Sequence, residues 1–417
     1  MNSNEFFKQE KQRAIKECKI CGLCVKKCPI ISETKVADAK PKEIQHAVLD
    51  FLDCGKDSPV LRERIRSCMK CYGCVNLCSQ GINPLRTLEI CTQVMVEEKM
   101  LDFPEWDPKS PDSTHRVLAG IQTTAIEYER IFKPSENVKA DTIFFPGCNV
   151  YYQPEKLLNA LDVMTMIDPD FAFVPGLDYC CGNGHLTKGH PGRADDAFSE
   201  LMEKIASYQP LTVVLWCPTC FCLAETTFGH FTEYPFKIRS MAQYVSEHLD
   251  KLEIVKKLSA KITIHDACKI ALTGLDVTGS RKILKAIGAE IVEMPRSGPE
   301  AACCGCAAIG NYPKAGNRML EARISEAAET GADILATVCH FCNQMLASQQ
   351  GNVNFTVENY INMLAESLGI KREDKFRKYM RWADPERISA DAALSVENSP
   401  FSRTLTEKTI KEVFTLK

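Results

Sequence analysis

The chain has 417 residues, too many for one ordinary core, so two or three domains are expected. Hydrophobic residues make up 45%, which argues against disorder, and a net charge of −3 gives no reason to expect nucleic acid as a partner. The 22 cysteines are the informative number. They would suit a disulfide framework only in an oxidising compartment, and the polar start MNSNEFFKQEKQRAIKE carries no apolar signal core. A cytoplasmic location is expected, with reduced thiols grouped for metal or redox chemistry. No segment approaches the ~20 apolar residues needed to cross a bilayer. Any membrane association is expected to be peripheral, on the inner face and against a membrane subunit.

Residues 1–105 hold two complete cysteine runs, Cys18-x2-Cys21-x2-Cys24-x3-Cys28-Pro29 and Cys68-x2-Cys71-x2-Cys74-x3-Cys78. Each matches the run of bacterial two-cluster ferredoxins, in which the fourth cysteine ligates the other cluster. The expected pairing is Cys18, Cys21, Cys24 and Cys78 on one cubane 4Fe–4S cluster, and Cys68, Cys71, Cys74 and Cys28 on a second. Zinc needs only four ligands at looser spacing, which two complete runs argue against. Thirty-nine residues separate the runs, including a helical stretch Pro41–Phe51 with proline in its first turn. That favours a helical two-cluster ferredoxin, like those of respiratory iron–sulfur subunits, over the compact βαββαβ form. Ser79 stands where a proline follows the first run, and Cys54 and Cys91 read as apolar residues rather than ligands.

After a linker over 106–140, the chain repeats itself across 141–255 and 256–370. The first copy has Cys148, Cys180-Cys181-Gly182 and Cys217-x2-Cys220. The second has Cys268, Cys303-Cys304-Gly305 and Cys339-x2-Cys342, with matching cysteines 120 to 123 positions apart. Short β-rich runs, Asp141–Pro146 and Lys261–His265, lead to the first cysteine of each copy. Helices are predicted over Pro191–Tyr208 and Pro313–Thr330, followed by strands Thr212–Trp216 and Ile334–Val338 that end on the CxxC. Strands alternating with helices imply an α/β unit with a largely parallel sheet, whose carboxyl ends carry Cys148, Cys217, Cys268 and Cys339. The glycine after each cysteine pair is expected to let the backbone approach a cluster and to offer it N–H groups. The fold class is therefore α+β and multidomain: a helical two-cluster module followed by two duplicated α/β units.

These spacings, with the strings FFPGCNVYY, WCPTC and HDAC, resemble the CCG or cysteine-rich domain of heterodisulfide reductases. Joined to a two-cubane module, the arrangement over residues 10 to 370 resembles the fused D subunit of heterodisulfide reductases. That resemblance implies a non-cubane 4Fe–4S centre on each copy, held by Cys148, Cys180, Cys181, Cys217 and Cys220 in the first and by Cys268, Cys303, Cys304, Cys339 and Cys342 in the second. Zinc is the alternative occupant of one copy. Cys222 and Cys306 lie beside the motifs and exceed the family pattern. The resemblance further implies catalysis: a disulfide is clamped between two centres that each deliver one electron, so neither half leaves as a thiyl radical. The substrate is the coenzyme M–coenzyme B heterodisulfide or a similar disulfide.

A separate b-type cytochrome, or another redox subunit, is the implied electron partner. Relatives with fewer cysteines serve hydroxy-acid dehydrogenases. The alternative function is therefore an electron-transfer subunit for lactate or glycolate oxidation, or for a quinone-linked respiratory complex. An anionic substrate requires cations at the cysteine-rich rim, where His185, Lys188, Arg193, Lys269 and Arg296 are nearest in sequence. His185 and His340 are proton donors by position. The tail over 371–417 (KREDKFRKYMRW onward) lies outside the cysteine pattern, as a docking segment or a solvated extension.

Overall fold

Three helices of the N-terminal module begin on proline, which has no N–H to lose in a first helical turn. They span Pro41–Cys54, Pro59–Arg66 and Pro84–Glu97 in the computed structural model, which describes residues 3–104, 107–136 and 139–415. Ser58 and Asn83 cap two of them by accepting from the backbone N–H of Leu61 and Arg86. The first helix outlasts its predicted end at Phe51, burying Ile44, Val48, Phe51 and Leu52, and stops at Gly55. With the helix Ser3–Glu17 these make an all-helical module, and residues 3–104 contain no strand.

One buried arginine ties this module to the next unit. Arg86 pairs with Glu89, and its Nη2 donates to Thr227 Oγ1 at 2.6 Å. Its guanidinium also lies 5.4 and 5.0 Å from the ring centroids of Phe6 and Phe7.

Two four-stranded parallel sheets follow. The first comprises β1 (Thr142–Phe145), β2 (Ala172–Phe173), β3 (Thr212–Leu215) and β4 (Lys237–Ser240). The second comprises β5 (Lys261–His265), β6 (Glu290–Ile291), β7 (Ile334–Thr337) and β8 (Thr356–Asn359). Their spatial orders are β2-β1-β3-β4 and β6-β5-β7-β8, the same topology twice. Parallel neighbours need crossover helices; Pro191–Ala206 and Pro313–Glu329 supply one to each copy, close to their predicted spans. Strands β1 and β3 are each shorter than predicted, because the residue entering the cysteine has already turned into the loop.

The copies pack through helix pairs, Pro154–Ile167 on Tyr360–Ser367 and Met241–Glu247 on Gly279–Ala286. A continuous apolar core runs from Phe6 in the module through Phe144 and Val214 to Ile264 and Leu364.

The remaining segments fold onto each other. The stretch expected to be a linker holds helices Thr114–Gln122 and Ala125–Phe132, with 106, 137 and 138 outside the described residues. The tail forms four helices between Lys375 and Phe414. Phe376, Tyr379, Ile388, Ile410 and Phe414 close a core with Leu118 and Ile121, so the described tail is neither solvated nor extended. Its apolar residues recur at helical spacing, which is the physical reason it packs. Among the described residues, no helix is long and apolar enough to cross a membrane.

Candidate metal centres

The first cysteine run follows the helix Ser3–Glu17, and its thiols meet a cysteine from the far run. Cys18, Cys21, Cys24 and Cys78 line one cavity floored by Leu49 and Ile82. Burial pushes the Cys24 thiol up to about 11; Cys18, Cys21 and Cys78 add to the rise and Arg64 opposes it. Gln45 bridges two members: its Nε2 donates to Cys18 Sγ at 3.7 Å and its Oε1 lies 3.2 Å from Cys24 Sγ.

Arg64 lies in the last turn of the helix Pro59–Arg66, four positions before Cys68. It is buried, and its Nη1 donates to Cys28 Sγ at 3.5 Å. Burial alone would lower its pKa, but Cys28, Cys68, Cys74 and Cys24 hold it above the usual arginine value. One guanidinium thus faces both expected cubane sets and offsets their negative charge. Burial raises Cys71 to about 12, with Cys268, Cys28 and Cys68 adding to it.

In the first sheet unit, Cys148 follows β1 and Cys217 follows β3, so both leave the carboxyl edge of the sheet. Cys181 sits among the others: hydrogen bonds from Cys180 and Cys220 hold its thiol well below the usual value, against burial. The Gly182 N–H donates to Cys180 Sγ at 3.4 Å, as expected of the glycine turn.

The second unit repeats this with Cys304 at the centre. Cys304 Sγ lies 3.4 Å from Cys342 Sγ, and contacts with Cys303 and Cys342 hold it down at about 5. The Gly305 N–H donates to Cys303 Sγ at 3.3 Å. Both glycines have positive φ, 79° and 86°. A Cβ there would lie 2.5 Å from the Ala194 carbonyl oxygen or 2.2 Å from that of Gly316. The close approach they allow is therefore to the first turn of the following helix, a reason the sequence did not reveal.

The thiols form four groups of four, four, five and five, soft donor sets of the kind iron–sulfur clusters require. The groups adjoin one another in a row. Cys24 acts on Cys74, Cys71 acts on Cys268 and Cys303, and Cys217 acts on Cys339. Cys306 faces the second five, where burial and the thiols of Cys304, Cys339 and Cys268 raise it. Cys222 is buried beside Tyr72 and Thr226, near Cys268 but outside both sets of five. Cys91 is buried and its thiol rises to about 12, whereas Cys54 is exposed, against the expectation that both are buried apolar residues.

The five cations singled out from sequence separate. His185 and Arg193 line an open cavity of about 430 Å³ that reaches Cys180, with Lys109, Asp107 and Glu200. Burial lowers the His185 pKa, and Arg193, His190 and Lys188 lower it further. Lys269 donates to Asn183 Oδ1 at 3.3 Å and acts on both Cys181 and Cys268, between the two sets of five. Lys188 donates to the Pro104 carbonyl and Arg296 pairs with Glu326, so neither turns to the thiols. His340 is buried edge-on to Trp216 at 4.4 Å, and burial lowers its pKa to about 3, so the ring is neutral. Sequence reasoning missed Gln45, Arg64, Arg323 and the part played by His265. Of these only His265 left a trace, inside the HDAC string.

Comparison with known proteins agrees with this geometry. The cysteine-rich domain family CCG matches residues 142–223 and 262–347. The D subunit of the dihydromethanophenazine:CoB–CoM heterodisulfide reductase from Methanosarcina barkeri is 25% identical over 397 residues, covering 85% of this chain and 94% of that protein. Its counterpart from Methanosarcina mazei is 25% identical over 398 residues, with the same coverage of 85% and 94%. Lactate utilization protein A 1 of Bacillus mycoides is 25% identical over 202 residues, 45% of this chain and 79% of that one. A match across 85% of the chain extends well beyond the two cysteine-rich copies: the chain carries two CCG domains, is similar over most of its length to the D subunit of heterodisulfide reductase, and is an iron–sulfur oxidoreductase component.

Proposed function

We propose that the chain is the catalytic iron–sulfur subunit of a heterodisulfide-reductase-type complex. Cys18, Cys21, Cys24 and Cys78, and Cys68, Cys71, Cys74 and Cys28, would hold two cubane 4Fe–4S clusters, and the two sets of five cysteines would hold two non-cubane 4Fe–4S centres, groups that would carry single electrons to a disulfide. The observation that carries this reading is that both copies keep all five thiols and bring them near enough for the Cys217 charge to act on Cys339. A simple relay has no use for two such sites. When bound, the clusters supply one-electron carriers and iron with affinity for sulfur.

The chain's own residues do the rest. The overall change takes one disulfide, two electrons and two protons to two thiols. The cavity beside Cys180 admits the substrate, and Lys269, between the two sets, draws its anionic groups toward both. The Trp216–His340 contact and the buried strands exclude water from the far side of the thiols. Protons enter from the solvent-open cavity beside Cys180 that His185 lines, and not by way of His340, which is buried and neutral. Electrons come from a partner redox subunit, for which a b-type cytochrome is the fitting class. The coenzyme M–coenzyme B heterodisulfide named for the Methanosarcina relatives is the first substrate to test.

The test is anaerobic. Purified protein should contain about sixteen irons per chain, from four 4Fe–4S groups, and little zinc. Reduced with a viologen, it should release two thiols for each heterodisulfide consumed. Full iron content with no turnover on any disulfide would transfer the chain to the alternative class, an electron carrier for a hydroxy-acid dehydrogenase. The match to the lactate utilization protein, over 45% of the chain, favours that second reading.

A further inference from the structure

The two copies differ at two buried positions beside their thiols. At the end of β1 and in the helix after CCG the first copy has Phe145 and Leu201, and at the matching places the second has His265 and Arg323. All four side chains are buried. A ring nitrogen of His265 and the sulfurs of Cys304 and Cys342 all lie within 4.8 Å of one another.

Arg323 decides what His265 offers there. A guanidinium only donates, and Arg323 Nε donates to His265 Nδ1 at 3.2 Å. Nδ1 is thus the acceptor, and the neutral ring carries its proton on Nε2. Arg323 cannot swing away freely, because its Nη1 donates to the Arg296 carbonyl at 3.1 Å and it pairs with Glu326. His265 Nε2 is buried with no hydrogen-bond partner among the described residues. A buried N–H left without an acceptor is costly. The sulfurs of Cys304 and Cys342, within 4.8 Å of a ring nitrogen, offer such acceptors. The same tautomer removes the lone pair that Nε2 would need to bind iron.

We propose that Arg323 and His265 form a positioning relay that presents Nε2–H to the sulfurs of the second cysteine-rich centre and makes that centre the easier of the two to reduce. The inference rests on the reading that both copies hold iron–sulfur centres. Reduction adds negative charge, and a hydrogen bond to the sulfur stabilises it, which raises the potential. The second set also adjoins the cubane set, through Cys71 beside Cys268. With clusters bound, this centre would take one electron from the neighbouring cubane, with no proton moved and no bond broken. The first copy, with Phe145 and Leu201, has no such donor and accepts its electron later. Two one-electron steps are thereby ordered.

The test is an EPR-monitored redox titration of the anaerobic holoprotein, comparing wild type with His265→Phe, His265→Gln and Arg323→Leu. His265→Phe should lower the midpoint of one non-cubane signal by a tenfold change in its reduction equilibrium, ~59 mV for one electron. The other centre and the cubanes should not move. His265→Gln restores an N–H and should recover most of the shift, and Arg323→Leu, which frees the tautomer, should fall between. Unchanged midpoints in Arg323→Leu and His265→Phe, with both signals present, would overturn the proposal. So would loss of that centre's iron in both His265 variants with the cubanes intact, which would make His265 a ligand. A wild type with no non-cubane signal would instead remove the reading beneath it.

Discussion

The two cysteine-rich copies share strand order and five cysteines, yet they surround those cysteines differently. In the first copy the residues entering Cys148 are Phe145, Pro146 and Gly147, and Leu201 is buried in the helix Pro191–Ala206. The second copy has His265, Asp266 and Ala267 before Cys268, and Arg323 opposite. Asp266 is buried and takes a bidentate pair from Arg281 at 2.7 and 2.9 Å, plus the Gly298 N–H at 2.7 Å. The first copy opens through a cavity to solvent beside Cys180, while the second adjoins the cubane thiols. Duplication has kept the five cysteines and the sheet, and has let the next layer diverge. On the proposed reading both copies meet the substrate, the first from the open cavity and the second beside the electron supply.

The largest expected effects test whether both copies are chemical. Cys181→Ser and Cys304→Ser should each abolish disulfide reduction and lower iron from about sixteen to about twelve per chain. Reduction of the cubanes by a viologen should persist in both. Turnover that survives in Cys181→Ser but not in Cys304→Ser would make the first copy structural and break the comparison.

A second effect is confined to one side. Asp266→Ala leaves the buried Gly298 N–H without its acceptor and leaves Arg281 paired with Glu293 alone, a loss of about 1–3 kcal/mol. The denaturation midpoint should fall and the second centre should load poorly. The matching change in the first copy, Pro146→Ala, should cost about 1 kcal/mol, the common size for a substitution that breaks no pair. Equal losses at both positions would show that the polar lining of the second copy contributes nothing special.

Much of this organisation is legible in the sequence, and the reason is chemical. A cluster needs several thiols at short spacing, so the runs at Cys18 and Cys68 and the paired CCG motifs stand out locally. The constant offset between copies then exposes the repeat. Residues that act across long separations are not legible. Arg64 reaches Cys28, 36 positions away, and Arg323 reaches His265 across 58. On sequence alone each is one more charge on a helix. The tail escapes for another cause: Phe376 and Tyr379, or Ile410 and Phe414, carry helical spacing, but they lie outside the cysteine pattern that dominates the chain. The glycines of CCG stand out correctly but for an incomplete reason, because the sequence does not show how closely the following helix turns back onto them.

The smallest effect sharpens the comparison at one backbone position. Gly147 has φ 74°, and a Cβ there would lie 2.5 Å from Cys217 Cβ and 3.2 Å from Cys220 Sγ. Its counterpart Ala267 has φ −72° and accommodates its own Cβ. Gly147→Ala must hold an alanine in the left-handed region, at about 1–2 kcal/mol, and also displace the CxxC that the first set shares. Iron should therefore be lost from the first centre alone. Ala267→Gly removes a methyl group and loosens the backbone, which costs about 0.5–1 kcal/mol and leaves the second centre loaded. Iron content and the two non-cubane signals, measured on both variants, separate the outcomes. Loss from both centres in Gly147→Ala would mean that the copies assemble as one cooperative unit.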